Sequence, residues 1–143
     1  MRNRGYLFAL LAFAAALAIP ASVAAAAPAE VSHIQAVGGA FNTCAGEFGE
    51  FVEFTGTARL LDKPNADGSF KTSLNIHGTG TGSLGNEYVL HFDTLLVRAS
   101  SGLLTLDDEK TTLVSKGSAP NQDVRFHFSS DSPDVIFTVD CHG

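Results

Sequence analysis

Phe70-Lys71-Thr72-Ser73-Leu74-Asn75-Ile76-His77 decides the fold. Phe70, Thr72, Leu74 and Ile76 share one parity, and Lys71, Ser73, Asn75 and His77 share the other. Successive side chains of a strand point to opposite faces, so this period of two reads as a half-buried β-strand. The pattern recurs further on: Val124, Phe126 and Phe128 alternate with Arg125, His127 and Ser129. Val135, Phe137, Val139 and Cys141 likewise alternate with Ile136, Thr138, Asp140 and His142, which places Cys141 on the apolar parity and predicts a buried sulfur. Segments 31–37, 51–61, 88–98, 103–106 and 111–115 are further strand candidates. Turn signals separate them at 64–68, 78–86, 100–102, 107–109 and 132–134, the third of these between strands 88–98 and 103–106. No segment of 28–143 sustains a helical period; around Glu47, Glu50 and Glu53, Gly46 and Gly49 weaken a helix. The predicted fold is all-β, an antiparallel β-sandwich or small β-barrel of about seven to eight strands in a single domain over 28–143.

The first 27 residues read differently. Arg2 and Arg4 precede an apolar run from Leu7 to Ile19, followed by Pro20 and the small residues Ala21 to Ala27. A basic start, an apolar centre and an Ala-x-Ala end are the three parts of a secretory signal peptide. The run is 13 residues long, short of the roughly 20 that a membrane-spanning helix needs, so the expectation is cleavage rather than an anchor. Removing 1–27 takes away two arginines and no acid, which moves the net charge from −6 to −8. A surface of that sign repels phosphate backbones and anionic lipid heads, which argues against nucleic acid and membrane surfaces as partners. The expected location is secreted, extracellular or in the cell envelope.

Cys44 and Cys141 are the two cysteines, and both lie in the exported part. An oxidising compartment favours a disulfide between them, joining the start of the fold to its end.

The stretches Asn75-Ile76-His77-Gly78-Thr79-Gly80-Thr81-Gly82, Asn86-Glu87-Tyr88-Val89, Lys116-Gly117-Ser118-Ala119-Pro120-Asn121, Phe126-His127-Phe128 and Cys141-His142-Gly143 are similar to those of a group of uncharacterised bacterial secreted β-rich proteins. The likeness covers about residues 55–143 and rests on turns and strand patterns. It implies export and a β fold, and it brings no catalytic residue. Where that group often has an Asn-Gly turn before the last strand, this chain has Ser130-Asp131-Ser132-Pro133-Asp134.

Several constellations could carry chemistry. Gly80-Thr81-Gly82-Ser83-Leu84-Gly85 fits G-x-G-x-x-G, but a strand follows it where a dinucleotide site needs a helix, so it reads as a hairpin loop. If 70–77 pairs with 91–98, one register sets His77 opposite His91 and Asn75 opposite Asp93 on the polar face. Two such imidazoles, with Asp93 or His127 as third ligand, would suit zinc or copper. Asp107-Asp108-Glu109 reads as a solvated hairpin tip, without the spacing of a calcium loop. Glu47, Glu50 and Glu53 could supply two glycosidase carboxylates, yet the exported part has Tyr88 as its sole Tyr and no Trp to stack on sugar. Its nine Phe fall mostly on apolar parities and read as core. No nucleophile or zincin motif is present.

Two expectations follow. The first is a non-enzymatic secreted or cell-envelope β domain that needs no cofactor and binds a partner protein, a surface polymer or a small apolar ligand. The second is a metal-binding protein or small metal-dependent enzyme that uses His77 and His91, with Asp93 or His127.

Overall fold

The computed structural model describes residues 28–143, so the expected signal peptide at 1–27 lies outside the described residues. Seven strands run in chain order: β1 (Glu30–Asn42), β2 (Glu50–Pro64), β3 (Phe70–Gly82), β4 (Glu87–Arg98), β5 (Leu104–Ser115), β6 (Asn121–Ser129) and β7 (Ile136–His142). All belong to one antiparallel sheet in which each strand pairs with its sequence neighbours, leaving β1 and β7 as the edges. Among the described residues no helix is long and apolar enough to cross a membrane.

The β3–β4 register sets Leu74 against Thr94 and Ile76 against Phe92, with His77 opposite His91 and Asn75 opposite Asp93. This is the register that the alternation predicts. One face of the sheet carries the core of Val52, Phe54, Ala58, Ile76, Tyr88, Leu90, Phe92 and Leu113. Ala36 and Ala40 of β1, with Leu74, pack against its margin.

The sheet is rolled at one end. Six strand spacings would hold the edges of a flat seven-stranded sheet about 29 Å apart. Instead Cys44, just beyond β1, is disulfide-bonded to Cys141 of β7 with a Cα–Cα distance of 5.7 Å. Gln122 of β6 reinforces the junction, donating to the Phe41 carbonyl at 2.9 Å and accepting from the Thr43 amide at 2.6 Å. Asn42 donates to the Pro120 carbonyl at 3.0 Å.

Below this junction lies Glu50, which is fully buried. Its carboxylate accepts from the Leu84 amide at 2.8 Å, the Asn86 side chain at 2.9 Å and the Tyr88 hydroxyl at 2.7 Å. Tyr88 in turn accepts from Asn42 at 3.2 Å. Burial pushes the Glu50 carboxyl up, but the bonds from Asn86, Tyr88 and Leu84 outweigh it and hold it below the usual carboxylate value. Burial, together with donation to Glu50, pushes the Tyr88 hydroxyl up. Gly82 faces this carboxylate so closely that a Cβ would overlap it, which explains a glycine there.

Four local expectations are corrected. The glycine-rich stretch 78–86 is not all loop: β3 runs through Gly82, and Gly82 bonds Asn86 across a short turn. Gly78 and Gly80 lie against the backbone of Thr55 and Glu53, a close approach that reads as loop composition in the sequence alone. Second, 103–106 and 111–115 are not two strands with an acidic tip between them. They form the single strand β5, in which Asp107, Asp108 and Glu109 alternate across the sheet. Carboxylates on opposite faces cannot converge on one calcium ion.

Third, Cys141 is exposed although its parity is apolar, because β7 is an edge with no neighbour beyond it. Phe137 and Val139 on the same parity are exposed for the same reason. Finally, the phenylalanines are not uniformly core: Phe48 is 84% exposed, and Phe41 and Phe51 face outward opposite one another.

Candidate functional site

The outer face holds the histidines. His77 and His91 sit directly opposite in β3 and β4, with Nδ1 atoms 2.8 Å apart and rings edge-on, centroids 4.6 Å apart. One ring donates and the other accepts, so the contact needs one neutral acceptor nitrogen. Two residues along, Asp93 accepts a 2.6 Å bond from Asn75. His33, Thr57 and Arg59 complete a shallow pocket of about 330 Å³ beside them. His127 lies elsewhere, on β6, with its Nδ1 3.7 Å from Asp108. The structure therefore joins His77 to His91, leaves Asp93 engaged with Asn75, and sets His127 apart. Among the described residues no group of three or more His, Cys, Asp or Glu is placed to hold a metal ion. A wider outer groove of about 750 Å³ crosses β1 to β4 between Val37, Phe51, Thr79 and Lys116.

The inner face changes character along the strands. At the disulfide end it is filled by Tyr88, Leu90, Leu113, Glu50, Val52 and Asn42, the largest fully buried side chains. At the opposite end the cross-strand ladder puts Leu60, Leu74, Thr94, Glu109, Phe126 and Phe137 side by side. The next ladder outward carries Thr72, Leu96, Asp107 and Phe128. Of these ten residues, eight are only half-buried, Phe137 is 48% exposed and Thr94 is 8% exposed. This end is a largely apolar wall left partly open, with four polar side chains set into it, of which Thr72 donates to Asp62, its neighbour on the same ladder, at 2.7 Å.

The other three are Thr94, Asp107 and Glu109. Glu109 is the direct partner of Thr94, and Asp107 precedes it by two on the same face of β5. Burial pushes the Asp107 carboxyl up, Asp108 adds to this and Arg98 opposes it. Burial, then repulsion from Asp107, pushes the Glu109 carboxyl up as well. Thr94 Oγ1 and Asp107 Oδ1 are buried and have no hydrogen-bond partner among the described residues.

Sequence reading missed this group because three consecutive acids resemble a turn. A signal was present: from Thr105 to Ser115 the odd positions Asp107, Glu109, Thr111 and Leu113 alternate with Leu106, Lys110 and Val114. Read as one strand, its core-facing parity is more acidic at one end than its solvent parity. Such inversions of the inside-outside rule occur where a protein keeps a site. Comparison with family models, with curated proteins and with solved structures gives no match to this chain.

Proposed function

We propose that this is an exported, non-enzymatic binding domain whose ligand is a small apolar molecule held on the inner face at the end remote from the disulfide. On this reading the rolled sheet works as a barrel open at one end. The observation that carries it is the contrast along the inner face: filled at Tyr88, Leu90 and Leu113, yet only half-covered at Leu60, Leu74, Leu96, Phe126 and Phe128. An apolar concave wall with a few polar groups is the usual make-up of a small-molecule site. The disulfide and the acidic balance of the chain support an oxidising, extracellular or envelope setting. A partner protein or surface polymer would use the outer groove instead.

The test is binding of the neutral apolar fluorophore N-phenyl-1-naphthylamine, read from its emission. The wild-type protein is expected to saturate it at a single class of sites, and Phe128→Ala to weaken it about tenfold. Outer-face Val37→Ser is expected to leave it unchanged. No saturable binding, or loss with Val37→Ser but not with Phe128→Ala, would refute the reading.

The His77–His91 contact favours a second reading, an outer-face metal site for zinc or copper in which both rings turn their lone pairs to the ion. Protein purified without chelator or affinity tag would then carry metal in a 1:1 ratio, and His77→Ala with His91→Ala would lose it. Metal-free wild type that takes up no added zinc at micromolar concentration would sink that reading.

A further inference from the structure

We infer that the ligand of the inner face carries a cationic, hydrogen-bond-donating head on an apolar body, an aliphatic or aromatic amine, and that Thr94, Asp107 and Glu109 receive the head. This rests on the inner-face reading above and specifies the ligand class for that site.

Three features converge on it. First, the placement is specific: Thr94 and Glu109 are cross-strand partners, and Asp107 shares their face one pleat further out. Cross-strand partners have Cβ atoms about 5 Å apart, so one ammonium can reach all three groups. Second, Thr94 is more than nine-tenths buried, and its hydroxyl has no partner among the described residues. Buried polar atoms are nearly always hydrogen-bonded, so an unpartnered hydroxyl beside an unpartnered carboxylate oxygen marks where a donor from outside fits.

Third, neither carboxylate is held in an ion pair among the described residues. The ion pairs there engage Glu87, Asp108 and Asp123. Arg98, the cation that acts on Asp107, directs its guanidinium to the Gly102 carbonyl. The surrounding wall is Leu74, Leu96, Phe126 and Phe128, and two phenyl rings beside a carboxylate pair also favour a cation over a neutral head. The same wall argues against a bare metal ion, which would lack the six to eight oxygens that calcium takes.

The experiment displaces N-phenyl-1-naphthylamine at pH 7 with two ligands of equal chain length, decylamine and 1-decanol, both below their aggregation concentrations. Decylamine is expected to displace the probe at a concentration at least tenfold lower than decanol. In Asp107→Asn with Glu109→Gln that advantage should fall to about twofold or less while the probe still binds. Thr94→Val should shrink it roughly threefold, the size expected for one lost hydrogen bond.

Equal displacement by the amine and the alcohol would overturn the inference and leave the apolar site standing. An amine advantage that survives both the double variant and Thr94→Val would place the cation elsewhere and overturn it too. If wild-type protein does not bind the probe at all, the inner-face reading itself fails.

Discussion

Replacing Cys44 and Cys141 together by serine is expected to lower the unfolding free energy by about 4 to 5 kcal/mol, the chain-entropy value for a closed loop near 100 residues. The bridge spans a sequence separation of 97, almost the whole described chain. The unfolded state is therefore strongly restricted by it, and its removal releases the most disordered ensemble available to this sequence. Urea unfolding of the double variant, compared with wild type with and without reductant, measures the effect. The reduced wild type should match the variant. The loss should also be local: β7 makes its ladder with β6 alone, so its amides should exchange first once the bridge is gone. An unchanged urea midpoint would mean that the bonds from Gln122 to Phe41 and Thr43 hold the junction unaided.

Glu50→Ala is the second large loss, about 3 to 5 kcal/mol. The substitution strips the acceptor from the Leu84 amide, the Asn86 side chain and the Tyr88 hydroxyl, the last of them fully buried. Buried donors without an acceptor keep the full penalty of leaving water. The same residue governs the acid limb of stability. Because the folded carboxyl sits below its ordinary 4.5, the folded state binds its proton more weakly than the unfolded state does. Its contribution is thus complete above that value and is lost as the pH falls through the lower, folded value.

Asp107 and Glu109 have the opposite sign. Their folded values are raised, so their contribution is complete below the ordinary carboxylate range and is lost as the pH rises through the raised values. Glu50→Gln should therefore flatten the fall in stability below pH 4.5, and Asp107→Asn with Glu109→Gln should raise stability at pH 7. Denaturant titrations across pH 2.5 to 7 check both. An acid limb as steep in Glu50→Gln as in wild type would show that other carboxylates control it.

The register of β3 and β4 was legible because Leu74, Ile76 and Phe92 have one buried face to choose, and a slip of one residue would turn all of them to solvent. The strand order needed no more than short turns between neighbours. What sequence parity could not show was depth. Phe137, Val139 and Cys141 carry the same alternation as Ile76 and Phe92, yet they lie on an edge, and burial depends on a neighbouring strand that the pattern does not encode. Glu50 was equally hidden, since its three donors come from around a turn more than 30 residues away. For the histidines, local pattern brought His77 to His91, but His127 lies two strands from β4, and same-face parity says nothing about lateral distance.

The odd number of strands has a consequence for how the sheet can close. Every turn of the meander reverses the chain, so the first and seventh strands point the same way, both toward the disulfide. Two such edges cannot join by continuing the antiparallel ladder, and here a covalent bond and the side chain of Gln122 take the place of a ladder at one end. Away from it β1 and β7 share no ladder among the described residues, so the end that carries Asp107 and Glu109 is left without a backbone seam.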